Sequence, residues 1–151
     1  ISDYYKVAAR YGSNKDAQQL FEEAHRRGLK VIFDFVASYT SIAHPWFQAS
    51  CRQEKNQYSN WYIWTNSAWE SIPDFMKGSF IQGYARRNGQ FMRNFFWNQP
   101  ALNYGFADPD PERPWQLPVG HPDTLAMREE MKRVARFWMD LGSGLIWPGR
   151  W

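Results

Sequence analysis

Residues 24–37 decide the fold of this chain, and they read AHRRGLKVIFDFVA. Residues 24–27 of this stretch are the end of a helix predicted over residues 13–27. The helix is predicted because its apolar residues recur at the spacing of one helix face. Gly28 fits the position just past a helix end, where the backbone turns left-handed. Residues 29–37 are then almost continuously apolar, which predicts a strand buried on both faces of a parallel sheet. The apolar stripe of the helix consists of Ala17, Leu20, Phe21 and Ala24.

A second helix is predicted over residues 122–141. Pro122 suits the first helical position, where its missing N–H group is not needed. Gly142 is placed to stop the helix, and residues 143–147 then predict the start of another strand. The expected apolar face consists of Met127, Met131, Val134, Trp138 and Leu141.

The middle of the chain, residues 42–120, has a different character. It holds six of the nine Trp and most of the prolines, with no long periodic segment. Ordinary connections are a few residues long, so this stretch predicts an inserted subdomain or a functional loop. Short apolar runs at 61–64 and 90–97 are candidate strands inside it. Helices and strands alternate around the insertion, which predicts an α/β fold with functional groups after Val36 and Ile146, where the strands end.

The composition is that of a folded protein rather than a disordered one. The chain has 151 residues, of which 44% are hydrophobic and 22% charged. The basic residues behind the net charge of +3 are dispersed, with the densest group at Arg26, Arg27 and Lys30, so no nucleic-acid partner is expected. Aromatic residues make up 19% of the chain. They favour either additional core packing or flat surfaces on which sugar rings stack.

Cysteine usage and hydropathy exclude several further classes. Cys51 is the single cysteine, so the chain forms no intrachain disulfide, and no His and Cys spacing matches a zinc site. The sequence shows neither a signal peptide nor an apolar run long enough to span a membrane. We therefore expect no membrane association and a cytoplasmic location.

Several segments, in chain order, resemble the α-amylase superfamily of glycoside hydrolases. They are most similar to the branch that includes oligo-1,6-glucosidase and trehalose synthase. Residues 24–34 resemble the second helix and third strand of that family's barrel. Residues 99–104, Gln-Pro-Ala-Leu-Asn-Tyr, are similar to the short signature of its inserted domain. The other similar segments are 1–5, 10–13, 40–41, 44–47, 61–64 and 136–142.

The resemblance implies an α/β fold of the (β/α)8 barrel type, of which this chain supplies about strands three and four with helices two and three. It implies a barrel segment at residues 1–41, an inserted domain-B-like region at 42–120, and a barrel helix with a truncated strand at 121–151. The implied activity of the parent enzyme is hydrolysis or transglycosylation at α-glucosidic bonds of oligosaccharides or α-glucans.

The resemblance also implies which side chains face the sugar: Asp34, Tyr39, Gln99 and Asn103. After the third strand the family usually has Asp, three residues, and then Asn-His. Here the same positions hold Asp34, Ser38 and Tyr39. Tyr39 is still able to stack on a sugar or to hydrogen-bond it. For Asp34 and Asn103 the alternative is that they hold strand and loop ends through hydrogen bonds.

Further departures from the family predict a chain without a metal, a cofactor or a catalytic group. Ser38 replaces an Asn that helps to hold calcium in the family, and Ala101 replaces an Asp. In the fourth strand the family pattern is Gly-Phe-Arg-x-Asp, which places Trp147 at the Arg and Gly149 at the nucleophilic Asp. No carboxylate side chain follows Asp140. We therefore expect no catalytic residue and no hydrolysis by this chain alone.

Two functions from different classes remain open at this point, besides a fragment without function. One is an inert relative of an α-glucan-active enzyme, and the other is a non-catalytic carbohydrate-binding module; in both, an α-glucan or oligosaccharide is bound weakly or not at all. Self-association is expected, because part of a barrel leaves a sheet edge unpaired and exposes Met131, Val134 and Trp138. The candidate aromatic platforms are Tyr39, Trp64, Trp69 and Trp97.

Overall fold

The computed structural model describes the backbone of residues 1–148 and the side chains of residues 1–144. It forms two compact units. The strand unit comprises Asp3–Ala37 and Glu130–Trp151, and the loop unit comprises Ile1–Ser2 and Ser38–Glu129. The elements in chain order are α1 (Asn14–Arg26), β1 (Ile32–Phe35), α2 (Pro45–Ser50), β2 (Phe80–Ile81), β3 (Phe91–Met92), α3 (Pro122–Trp138) and β4 (Leu145–Pro148). The predicted α/β class is confirmed.

Helix α1 is confirmed, together with the Gly28 signal that ends it. Ser13 is its N-cap: the Asp16 backbone N–H donates to Ser13 Oγ at 3.3 Å, and the Ser13 backbone N–H donates to Asp16 Oδ2 at 2.7 Å. This reciprocal pair satisfies two of the free N–H groups at the helix start. At the other end Gly28 has φ 77°, and the Leu29 N–H returns to the Ala24 carbonyl at 2.9 Å.

Strand β1 pairs in parallel with β4, in a register that places Ile32 opposite Leu145 and Asp34 opposite Trp147. The parallel pairing was predicted, but the predicted burial of β1 on both faces is wrong. Ile32 is 61% exposed and Phe35 is 8% exposed. The reason is that, in the part of the chain that the structure describes, β1 has one partner strand and one face that packs against other residues.

The apolar face of α3 is buried, contrary to the expectation that part of a barrel leaves it exposed. Met131, Val134 and Trp138 retain 5% or less of their accessible surface. The Trp138 ring stacks on Phe33 with 4.9 Å between ring centroids, and its indole N–H donates to the Tyr4 carbonyl at 2.7 Å. Phe33 and Tyr4 of the strand unit thus cover Trp138. The exposed apolar side chains of this unit lie elsewhere and include Leu20, Leu29 and Ile32.

The loop unit is held by aromatic packing rather than by a large sheet. Phe47 is fully buried and contacts Tyr62 and Phe91 edge to face, each at 5.0 Å between ring centroids. Phe47 lies in α2, a short helix that the sequence pattern does not predict. Its start follows from Pro45 at the first position and from His44, whose Nδ1 accepts the Trp46 backbone N–H at 3.2 Å.

The predicted strands of the middle region are present only in reduced form. Residues 90–97 contain β3, which pairs antiparallel with β2, and residues 61–64 form isolated bridges. The predicted inserted region, 42–120, falls inside the loop unit. In the part of the chain that the structure describes, every helix is too short or too polar to span a lipid bilayer.

Candidate substrate-binding site

The segments that follow β1 and β3 lie side by side in the loop unit. Tyr39 forms an antiparallel bridge with Ala101. On either side of this bridge the Leu102 N–H donates to the Ser38 carbonyl at 2.9 Å, and the Thr40 N–H donates to the Pro100 carbonyl at 3.2 Å. The pairing therefore holds Tyr39 against residues 100–102, inside the predicted signature 99–104.

A buried hydrogen bond fixes this paired segment to the aromatic core. The Thr40 and Tyr62 hydroxyl oxygens lie 2.9 Å apart, and the two side chains are 0% and 1% exposed. Burial raises the pKa of the Tyr62 phenol well above its usual range, because the phenolate form would lose its hydration. The Tyr62 hydroxyl is therefore protonated under all ordinary conditions and is a structural group.

Asn103 is buried and forms hydrogen bonds with three other residues of the loop unit. Its side chain is 1% exposed, its Nδ2 donates to the Asn60 carbonyl at 3.1 Å, and its Oδ1 accepts the Gly105 N–H at 3.0 Å. Its backbone N–H donates to the Trp61 carbonyl at 2.8 Å. Both ends of the amide are thus engaged within the chain, which is the structural alternative considered for this residue.

Gln99 closes a tight loop at residues 94–99, named here the aromatic loop. Its Oε1 accepts the Phe96 N–H at 3.1 Å, its backbone N–H donates to the Phe96 carbonyl at 3.0 Å, and its carbonyl accepts the Asn94 N–H at 2.8 Å. The guanidinium of Arg93 also donates to the Asn94 and Phe95 carbonyls. The loop conformation is therefore set before any ligand binds.

The aromatic loop presents three consecutive aromatic side chains to solvent. Phe95, Phe96 and Trp97 are 57%, 65% and 55% exposed. Phe95 meets the Tyr39 ring edge to face at 6.2 Å, and Trp97 lies 6.5 Å from the Tyr84 ring. The resulting surface is apolar and aromatic, which suits the faces of sugar rings. The sequence motif 99–104 pointed to this region but not to Phe95 or Phe96.

Of the four predicted sugar-facing residues, three lie in the loop unit and one lies in the strand unit. Tyr39, Gln99 and Asn103 belong to the paired segments and the aromatic loop. Asp34 lies in β1, in register with Trp147, and its side chain is exposed. The assignment of these four residues to sugar binding stays a prediction.

The positions that depart from the family pattern are filled by protein contacts. Ser38 Oγ accepts a hydrogen bond from Asn94 Nδ2 at 3.2 Å, and Ala101 is 7% exposed. Within residues 1–144 no three His, Cys, Asp or Glu side chains come together in a way that would hold a metal ion. The position aligned with the family's nucleophile, Gly149, lies outside the described residues.

Two acidic side chains and one histidine of the loop unit have local structural roles. Asp74 pairs with Lys77 at 2.6 Å, and Asp110 pairs with Arg113 at 3.0 Å and accepts the Glu112 N–H. His44 is 3% exposed and caps α2, while Ser38 accepts a hydrogen bond from Asn94.

The prediction that Trp64 is one of the four aromatic platforms is wrong. Trp64 is 4% exposed, because Phe47 stacks on it at 5.8 Å and the Arg87 guanidinium lies 4.8 Å from its ring centroid. A buried indole offers no face to a sugar. Trp69, at 88% exposed, and Trp97 remain available.

Comparison with known proteins places these features in a family. The family model that describes the α-amylase catalytic domain matches residues 1–111 of this chain. The oligo-1,6-glucosidase of Heyndrickxia coagulans is 31% identical over 147 residues, which cover 94% of this chain and 23% of that enzyme. The trehalose synthase/amylase TreS of Mycobacterium tuberculosis strain H37Rv is 33% identical over 148 residues, which cover 94% of this chain and 22% of that enzyme.

Solved structures give the same result. The α-glucosyl transfer enzyme XgtA matches with a TM-score of 0.72 and 32% identity, covering 94% of this chain and 24% of that one. Trehalulose synthase MutB of Pseudomonas mesoacidophila MX-45 matches with a TM-score of 0.73 and 27% identity, covering 97% of this chain and 24% of that one. The chain thus spans about a quarter of the length of the proteins it matches. It belongs to the α-amylase family of glycoside hydrolases, as the sequence motifs predicted.

Proposed function

We propose that this chain is a portion of a (β/α)8 barrel enzyme that hydrolyses or transfers α-glucosyl groups of oligosaccharides or α-glucans. In this proposal the strand unit contributes about strands three and four of the barrel, and residues 42–120 are the inserted domain. The chain supplies part of the sugar-contacting surface and none of the catalytic carboxylates.

The observation that carries this proposal is the pairing of Tyr39 with Ala101 beside the aromatic loop. It joins the segment that follows β1 to the inserted-domain signature, the two places where the family resemblance locates sugar-binding residues. The rigid aromatic loop adds an exposed apolar surface at the same place. The names of the relatives, an oligo-1,6-glucosidase and an α-glucosyl transfer enzyme among them, support α-glucosides as the substrate class.

The chemistry explains why the 151-residue polypeptide is expected to be inactive by itself. A retaining glycosidase uses two carboxyl groups about 5–5.5 Å apart, one as nucleophile and one as acid and base. The sequence has no carboxylate side chain after Asp140, and Gly149 stands at the nucleophile position. The carboxylates Asp74 and Asp110 are held in local ion pairs. Sugar binding without turnover is the expected behaviour.

Affinity electrophoresis in gels with and without soluble starch tests sugar binding directly. We expect weak retardation of the wild-type chain, and loss of this retardation in Tyr39→Ala and Trp97→Ala. Trp69→Ala is the matched control, because Trp69 is exposed and belongs to a different loop. Retardation that persists unchanged in Tyr39→Ala and Trp97→Ala would contradict the proposal that these two residues contact the sugar.

A second candidate function is a non-catalytic carbohydrate-binding module. The observation in its favour is the exposure of Trp69, whose indole retains 88% of its accessible surface. The same gels separate the two functions. If Trp69→Ala abolishes the retardation and Tyr39→Ala does not, the platform lies at Trp69 and the module is favoured.

A further inference from the structure

The loop unit contains a pocket whose lining includes none of the sugar-binding candidates. It has a volume of about 370 Å³ and is lined by residues from two stretches, 52–66 and 87–88. Three of its nine lining residues are cations, Arg52, Lys55 and Arg87, and the other six are neutral polar residues. A pocket of this composition is unlike the apolar clefts that usually hold neutral ligands.

Arg87 is anchored at this pocket without a carboxylate partner. Its Nη1 donates to the Ser50 carbonyl at 3.0 Å and to the Ser59 carbonyl at 2.6 Å. Its guanidinium lies over the Trp64 ring, 4.8 Å from the centroid. Burial lowers the pKa of Arg87 to about 10, and the group is therefore still charged at neutral pH. Two carbonyls and one ring fix its position but leave its positive charge unneutralised.

The other two cations are also free of ion pairs. Among the described residues, no Asp or Glu oxygen lies within 4.0 Å of a charged nitrogen of Arg52, Lys55 or Arg87. Glu54 is adjacent to Lys55 in sequence but lines a neighbouring depression. Glu70 is engaged elsewhere, since it accepts the Asn66 backbone N–H and the Trp115 indole N–H.

Amide groups add neutral donors to the same lining. Asn60, Asn66 and Asn88 all border the pocket, and of these Asn60 is already engaged, since its Nδ2 donates to Asp123 Oδ2 at 2.7 Å. Asn88 Oδ1 accepts the Ala68 N–H at 3.0 Å, which orients its amide and leaves the NH₂ group as a donor. Three uncompensated cations with amide donors form a lining that favours a ligand with several anionic oxygens.

We propose that this pocket binds a phosphate group, either as inorganic phosphate or as the phosphate of a monoester such as a sugar phosphate. A phosphate dianion offers oxygens to the guanidinium groups and to the Lys55 ammonium, and the guanidinium fork matches its geometry. The pocket volume also leaves room for an organic part beyond the phosphate. This inference is independent of the proposed enzymatic function, because it concerns different residues.

Isothermal titration calorimetry on the whole chain at low salt tests the proposal. Inorganic phosphate, glucose 6-phosphate, glucose and chloride are the four titrants. We expect binding of the first two and none of the last two. The double variant Arg52→Gln with Lys55→Gln should weaken phosphate binding by about tenfold or more, since two of three charge-assisted contacts are removed. Both side chains are exposed, so the fold does not depend on them.

Arg86→Gln is the matched control, because it removes the same charge at the residue next to Arg87 but outside the pocket. Phosphate affinity should be retained in this control. Equal phosphate affinity in the wild type and the double variant would overturn the proposal. An equal loss of affinity in Arg86→Gln would also overturn it, in favour of general electrostatic attraction. Tighter binding of glucose 6-phosphate than of phosphate would identify a monoester as the ligand, and equal binding would identify the phosphate group alone.

Discussion

Tyr39 and Ala101 face each other across an antiparallel bridge, and both stand where the family pattern has a different residue. The pattern places His at the first position and Asp at the second. The third departure, Ser38, is adjacent and is held by Asn94 at 3.2 Å. The three departures are therefore neighbours in space, and protein contacts occupy the place at which the pattern has metal-binding and sugar-binding groups.

Calcium is expected to leave the stability of the wild-type chain unchanged. Calcium prefers several carboxylate or carbonyl oxygens, and Ser38 and Ala101 remove two of the ligands that the family pattern offers. Melting temperatures with millimolar calcium and with a chelator should agree. A rise of several degrees with calcium, reversed by the chelator, would contradict this expectation.

The double variant Ser38→Asn with Ala101→Asp should gain sensitivity to calcium. It restores both oxygen ligands in adjacent segments that the bridge already holds together. A ligand that binds only the folded state raises its stability, so the melting temperature of this variant should increase with calcium concentration. Ala101→Ser, which adds no carboxylate, is the control and should remain insensitive.

No hydrolysis of maltose, isomaltose, starch or nitrophenyl glucosides is expected from the chain alone. The catalytic reaction needs a nucleophile and a separate acid, and the sequence after Asp140 supplies neither. Gly149→Asp should not restore turnover, because the second carboxyl group is still missing. Release of glucose by material free of host amylases would show that another pair of groups performs the reaction.

Asn103→Ala should lower the free energy of unfolding by about 1–3 kcal/mol, because it removes a buried amide and leaves the partly buried Asn60 carbonyl and Gly105 N–H without their partner. Urea unfolding measures this change. Asn98→Ala is the control, since Asn98 is exposed in the aromatic loop and should change stability little. A stable Asn103→Ala variant with weakened starch retardation would instead make Asn103 a sugar-binding residue.

Alkaline pH should destabilise the strand unit through Tyr5. Burial, together with a hydrogen bond to Glu130 Oε1 at 2.8 Å, raises the pKa of Tyr5 to about 12. A raised pKa contributes stability that is fully present below the unfolded value near about 10 and is lost as pH rises through about 12. Tyr5→Phe should weaken this loss in thermal melts across the same range. Tyr11→Phe, at a residue 72% exposed, should not.

We also propose that the isolated chain self-associates, through residues other than those first expected. Trp138 is buried against Phe33, whereas Leu29 and Ile32 are each 61% exposed on and beside β1. Exposed apolar residues on an edge strand favour pairing with other chains. Ile32→Lys should therefore shift the molar mass measured by light scattering towards the monomer. A monodisperse wild-type monomer would contradict the proposal.

Local sequence signals predicted the two long helices, α1 and α3, and the parallel strand pair of this protein. The Ser13 cap, the left-handed turn at Gly28 and the apolar spacing of α3 act between residues that are close in the chain, so the sequence alone determines them. The motif 99–104 also pointed to the α-amylase family, whose catalytic-domain model matches residues 1–111. These features depend on backbone geometry and hydrophobic periodicity, which a single sequence displays.

Only the tertiary structure decided which aromatic and polar side chains are available. Trp64 and Trp97 look alike in sequence, yet Phe47 and Arg87 bury the first while the aromatic loop exposes the second. Arg87 is likewise far in sequence from Arg52 and Lys55, and folding brings all three to one pocket. Burial and charge neutralisation depend on neighbours that are distant along the chain, and the irregular connections of the loop unit have no periodic pattern from which those neighbours follow.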